Sequence, residues 1–321
     1  MTSAFVSIPE NPVPANAEVF DLKTADGIAL RAGRFKAPSD RPFKGTVCLF
    51  QGRAEFIEKY FETIADLNER GFTVAALDWR GQGGSQRLLK NARHGHASSF
   101  ADFQNDLDVF MEYFARPECP PPFFALAHSM GGPIVLEAAR RRATWWDRIV
   151  LSAPMIGLPG LAADPLVRKL AAFLGTFGFG RLSVLGKGVQ STYAGKPFEG
   201  NVLTSDRARF ERTARLCAEA PQLAVGAPTV GWLRAAHRAM ELLTYPERIS
   251  QIRTPTLFIA ASDDKVIANR PMELLAAQMR TADVVTLPTA RHEILMERDA
   301  IRDAFWAAFD AFIPGSPTFP D

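Results

Sequence analysis

The sequence predicts an α/β fold, a mainly parallel sheet flanked by helices and interrupted by an inserted helical cap. Three observations carry that prediction. Short apolar runs of strand length alternate with segments whose apolar residues recur at helical spacing, the pattern of parallel strands joined by helical crossovers. The alternation stops between about Met155 and Tyr245 and resumes at Thr256. A strand-like run, a sharp turn containing Ser129 and a helix-like run also follow one another without a linker.

In chain order, residues 1–16 are rich in Pro, Ser and Ala and read as an extended arm. Residues 17–35 alternate apolar and polar about Ala25-Asp26-Gly27, a hairpin signal. Residues 46–51 read as a strand, and residues 58–70 as a helix ended by Gly71. Residues 72–78 are the next strand. Residues 100–114 carry Phe103, Leu107, Phe110 and Phe114 at helical spacing. A strand over 123–127, a helix over 130–142 and a strand over 149–152 follow. The sheet resumes with strands at 256–261 and 283–287 and helices at 270–280 and 301–312, before a frayed tail from Pro314. The expected division is a first core part over 1–154, a helical cap over 155–245 and a second core part over 246–321.

Composition narrows the function. The 321 residues are 47% apolar and 22% charged, which fits a globular protein. Lys and Arg total 37 against 35 Asp and Glu, a net charge of +2, which argues against nucleic acid as the main partner. Cys48, Cys119 and Cys217 are too few and too scattered for a disulfide framework or a thiolate metal site. No metal and no cofactor are expected. No apolar run approaches the ~18 residues of a membrane span. The N-terminus lacks a basic segment followed by an apolar one. The expectation is a cytoplasmic protein.

Ala127-His128-Ser129-Met130-Gly131-Gly132 is a small-x-Ser-x-Gly turn between strand and helix, with Ala127 where the nucleophile-elbow pattern has Gly. Such a turn forces its Ser into a strained backbone and needs small flanking residues. A Ser hydroxyl also needs a His to take its proton and an acid to hold that His. His94 and His96 precede Ser129 in a loop, His128 adjoins it, and His237 falls in the cap. His292 alone follows a late strand, in a loop before the final helix, and is the expected base. The acid falls at the end of the preceding strand, where Asp263 and Asp264 compete and Asp264 is preferred. Backbone N–H groups of Met130 and of Arg53, after Gly52, are the expected oxyanion donors.

Together with Asp78-Trp79-Arg80-Gly81-Gln82-Gly83-Gly84-Ser85, these residues resemble the α/β-hydrolase superfamily. Within it, the chain is most similar to the monoacylglycerol lipase and bacterial lysophospholipase family, also called serine aminopeptidase-like hydrolases. Gly52-Arg53-Ala54-Glu55-Phe56-Ile57-Glu58-Lys59-Tyr60 looks like the lysophospholipase branch. The resemblance covers most of residues 20–313 and is weakest in the cap. It implies a nucleophile at Ser129, an acid at Asp264, a base at His292 and oxyanion amides at Arg53 and Met130. Gln51-Gly52 stands where many relatives have His-Gly, and Ala127 where they have Gly. Neither departure removes a catalytic atom. Residues 78–85 lack the Gly-Lys-Ser/Thr ending of a phosphate loop and read as a structural turn.

The resemblance implies a serine carboxylester hydrolase acting on an acyl ester of a single-chain lipid, either lysophospholipid or monoacylglycerol. A prolyl aminopeptidase-type activity, a short-chain esterase and a non-catalytic hydrolase-like protein are the alternatives. Leu161, Leu166, Leu170, Phe173, Leu174, Phe177 and Phe179 either pack the cap's own core or line an acyl tunnel over Ser129. Arg168 and Lys169 offer charge for transient contact with anionic head groups at the inner membrane.

Overall fold

The computed structural model describes residues 4–160, 164, 166, 169, 173, 178–184, 193 and 195–314. Its frame is an eight-stranded sheet of β1 (Ala17–Lys23), β2 (Ala29–Phe35), β3 (Gly45–Phe50), β4 (Phe72–Leu77), β5 (Phe123–His128), β6 (Arg148–Ser152), β7 (Thr256–Ala261) and β8 (Ala282–Leu287). The strands lie in the order β1-β2-β4-β3-β5-β6-β7-β8. The predicted hairpin pairs β1 with β2, and β2 joins β4 antiparallel; every later pairing is parallel.

Each central strand is buried on both faces, so its side chains divide by alternation. Val47, Leu49, Val74, Leu126 and Ile259 lie on the sheet face that α1 (Phe61–Glu69) helps to cover, and a 3-10 turn at Ile57–Tyr60 precedes that helix. Cys48, Phe50, Ala75, Leu77 and Phe258 face the opposite side. There they meet Phe103 and Leu107 of α2 (Asp102–Phe110), which continues as a π-helical turn at Met111–Ala115, and Ile134 of α3 (Gly131–Arg141). Gly71 follows α1 with a φ of +90°, and a Cβ there would fall 2.2 Å from the Pro42 carbonyl oxygen. Only glycine fits that close approach. The N-terminal arm is packed rather than merely extended: Ile8 is buried, and the Asn11 side chain donates to the Glu58 carbonyl at 2.9 Å.

Between β6 and β7 the chain leaves the sheet. It contributes α4 (Arg207–Glu219) and α5 (Val230–Leu242), and no strand among the described residues. Both helices start on side-chain caps: Asp206 accepts from the Arg209 amide and Thr229 from the Trp232 amide. After β7 come α6 (Asn269–Ala276), which ends earlier than the predicted 280, and, beyond β8, α7 (Asp299–Phe312). Phe305 and Phe309 of α7 complete the α1 face.

Glu62 of α1 ties the sheet domain to α4, accepting from Arg209 Nε at 2.9 Å and from Arg212. Burial opposes its ionised form, but the Arg209 hydrogen bonds and the charges of Arg302 and Arg212 hold the carboxyl at about 2. A carboxyl depressed in the folded state stabilises the fold above its unfolded value, and the contribution disappears as pH falls through the folded one. Glu62→Gln should therefore lower Tm at neutral pH, with the gap to wild type narrowing as pH falls from about 4.5 toward about 2. A pH-independent gap would contradict the ion-pair account.

Candidate active site

The site forms at the C-terminal ends of the parallel strands, where open α/β sheets place their chemistry. β5 runs directly into Ser129, whose φ is +49°. That left-handed backbone strains a non-glycine residue, and its neighbours hold it in place. The Ser129 amide donates to the Ser152 carbonyl at 3.1 Å, while its own carbonyl accepts from Gly132 at 3.0 Å and Met155 at 2.9 Å. α3 starts two residues later, close against the sheet: a Cβ on Gly131 would lie 2.9 Å from the Phe50 carbonyl oxygen, and one on Gly132 2.5 Å from Pro154 Cβ.

The loop after β8 brings His292 to Ser129, with Nε2 3.0 Å from Oγ. His292 Nδ1 lies 2.7 Å from Oδ2 of Asp264, in the turn after β7. The other Asp264 oxygen accepts the amides of Val266 at 2.7 Å and Ile267 at 3.0 Å. Burial alone would raise the Asp264 pKa, but the His292 hydrogen bond and these amides outweigh it and hold it below the ordinary value. An ionised Asp264 accepts the Nδ1 proton, which leaves the Nε2 lone pair facing the Ser129 hydroxyl. Asp263 points elsewhere and pairs with Lys265 at 2.7 Å.

The other histidines have different work. His128 is buried, its Nδ1 3.0 Å from the Ser152 carbonyl. Burial lowers its pKa to about 4, against the opposing charge of Glu55, so it is neutral at physiological pH. His96 contacts the Thr229 hydroxyl at 2.8 Å. His94, His96 and His237 are absent from the wall around Ser129. Among the described residues, no acceptor takes the N–H of Arg53 or of Met130.

Sequence reasoning missed a buried ionic cluster beside this chain of hydrogen bonds. Lys59 is almost wholly inaccessible and contacts Glu55 at 2.6 Å and Glu293 at 2.7 Å. Glu55 also accepts from the Gly52 amide and from the Tyr60 hydroxyl at 2.7 Å, which fixes the turn that carries Arg53. The Tyr193 hydroxyl reaches both Lys59 and Glu293. The i,i+4 spacing of Glu55 and Lys59 and the adjacency of Glu293 to His292 were the available signals. Residues 78–85 are structural, as expected: Asp78 accepts from Arg31 Nε at 2.7 Å, the Gly84 amide at 2.7 Å and the Ile57 amide at 2.9 Å.

Ser129 and His292 open into a cavity of about 680 Å³, walled by Met155, Val202, Leu203, Phe210, Trp232 and Ile267 among others. For three of the apolar cap residues this corrects both expected roles. Leu166, Phe173 and Phe179 are exposed and form neither a core nor the cavity wall. From the cap the described wall includes Leu158 and Val184, the chain around residues 196–203, Phe210 of α4, and Trp232 and Leu233 of α5. Leu161, Leu170, Leu174, Phe177 and Arg168 lie outside the described residues. No helix among the described residues is long and apolar enough to cross a membrane.

A family model described as serine aminopeptidase, S33, matches residues 41–299. Lysophospholipase L2 of Escherichia coli (strain K12) is 34% identical over 306 residues, covering 89% of this chain and 85% of that protein. Monoglyceride lipase of Rattus norvegicus is 28% identical over 238 residues, 73% of each. A soluble variant of the Saccharomyces cerevisiae monoglyceride lipase, solved with a substrate analog, shares the fold with a TM-score of 0.72 at 19% identity, over 91% of this chain and 94% of that one. This chain therefore belongs to the serine aminopeptidase (S33) family of α/β-hydrolases, and it is a carboxylic ester hydrolase.

Proposed function

We propose that this protein hydrolyses single-chain lipid esters through an acyl-enzyme, with Ser129 as nucleophile, His292 as base and Asp264 as its orienting acid. The observation that carries this reading is the hydrogen-bonded chain Asp264–His292–Ser129 opening into an apolar-walled cavity. His292 Nε2 takes the Ser129 proton as Oγ attacks the ester carbonyl. The unengaged amides of Arg53 and Met130 receive the oxyanion. His292 then returns the proton to the departing glyceryl oxygen, and water repeats the sequence to release the fatty acid. Residues 155–245 serve as the cap that walls the cavity. The lysophospholipase and monoglyceride lipase relatives support a lipid ester as substrate.

An aminopeptidase needs a free carboxylate for the substrate amine. Glu55 and Glu293 on the wall are both committed to Lys59, and Glu199 is paired with Arg207. That pairing favours the esterase reading over the peptidase one.

The test is kcat/KM for esters of two to fourteen carbons, kept below micelle formation. A buried methylene contributes roughly 0.8 kcal/mol. Four added methylenes should therefore raise kcat/KM by up to about a hundredfold where all are buried in the transition state. A maximum at the shortest chains would overturn the lipid reading and leave a small-ester hydrolase.

A further inference from the structure

Arg53 lines the cavity, and apart from its amide it carries a guanidinium that the hydrolytic chemistry does not use. The side chain is partly buried. Its Nη1 donates to the Gly226 carbonyl at 2.7 Å, and Cζ stands 5.6 Å from the Trp232 ring centroid. It packs against the Gly95 backbone, where a Cβ would lie 3.3 Å from Nη1. Arg53 has no carboxylate partner among the described residues, because the acids that share its wall are taken. Lys59 holds Glu55 and Glu293, and Arg207 holds Glu199. Burial lowers the Arg53 pKa to about 10, with the charge of Glu55 pulling the other way, so it stays a cation at neutral pH.

A charge removed from water without a counter-ion is costly. A guanidinium held against the Trp232 ring, on a residue that lines the cavity, is matched to an oxyanion it can grip through two parallel N–H bonds. The cation is on the residue whose amide faces the scissile ester. An anion a few bonds from that ester therefore fits, and a glycerol backbone carrying an acyl ester and a phosphodiester has that shape. We infer that the Arg53 side chain selects the head group, holding the phosphate of a lysophospholipid and so favouring it over an uncharged monoacylglycerol. This rests on the lipid-ester reading above and adds the head-group class to it.

The test reads binding rather than turnover, so it stands apart from the ester assay. Calorimetry would give Kd for three probes below micelle formation: the 1-alkyl ether of glycerophosphocholine, the 1-alkyl ether of glycerol with the same chain, and glycerophosphocholine without a chain. Wild type should prefer the first probe to the second. Arg53→Gln should reduce that preference by about tenfold or more, the size expected for losing a charge-assisted bond. Arg53→Lys, which keeps the charge but not the fork, should fall between. If Arg53→Gln does not fold by circular dichroism, the Lys variant decides, with an unchanged preference overturning the assignment. Equal weakening of both lipid probes would show a structural role only and overturn it. Chain-free glycerophosphocholine binding as tightly as the lipid would mark a site for free phosphate esters and also overturn it. Wild type binding the phosphate lipid as described while failing to hydrolyse any long-chain ester would sink the proposed function and leave the Arg53 assignment standing.

Discussion

Ser129→Ala should leave an intact fold with almost no turnover, a loss of about 10⁶ in kcat. Only Oγ is removed. The strained backbone at φ +49° accommodates Ala as it does Ser, and the bonds that hold it run through the main chain to Ser152, Gly132 and Met155. Residual activity would come from whatever polarises the carbonyl without a nucleophile, because triad members act as a unit. The check is ester hydrolysis alongside circular dichroism and labelling by a fluorophosphonate. Near-wild-type hydrolysis with an unchanged spectrum, or labelling of the Ala variant at the wild-type rate, would remove Ser129 from the mechanism.

Asp264→Asn should cost about 10⁴ in kcat, and Asp263→Asn little. The two acids are neighbours in sequence with opposite surroundings. Asp264 is shielded from solvent and spends both oxygens, one on His292 Nδ1 and one on two amides. An amide in its place can present an N–H to Nδ1, which selects the tautomer protonated at Nε2 and removes the lone pair that would take the Ser129 proton. Asp263 pairs with Lys265 at the surface, where such pairs contribute at most about 1 kcal/mol. Measured kcat for the two variants settles the order, and a larger loss at Asp263 would overturn the assignment.

Much of the architecture was legible because it rests on periodicity. Strands such as Thr256–Ala261 are short apolar runs, and helices such as α2 repeat their Phe and Leu at fixed intervals. Ser129, Asp264 and His292 could be nominated because strand ends and chain order restrict the candidates. Their meeting in space is a matter of distances the sequence does not contain. Lys59 was not legible. A lysine ordinarily stays in water, and it is buried here because Glu293 arrives from a distant part of the chain to join Glu55, one helical turn away, around its ammonium. Phe173 failed for the converse reason: composition says a phenylalanine seeks cover, but contacts decide which one finds it, and this one is exposed. The cavity wall came from residues such as Val202 and Leu203, whose local sequence carries no helical or strand period.

The Lys59 cluster has a consequence for how this catalyst uses the energy of association. Glu55 braces the turn bearing Arg53, Glu293 adjoins His292, and one ammonium joins the two. In the proposed mechanism, donor and proton acceptor are thus pre-organised by the folded chain and not by an incoming lipid. On that mechanism, less of a lipid's affinity would be consumed in ordering the machinery, and more would remain to favour the transition state over the bound ester.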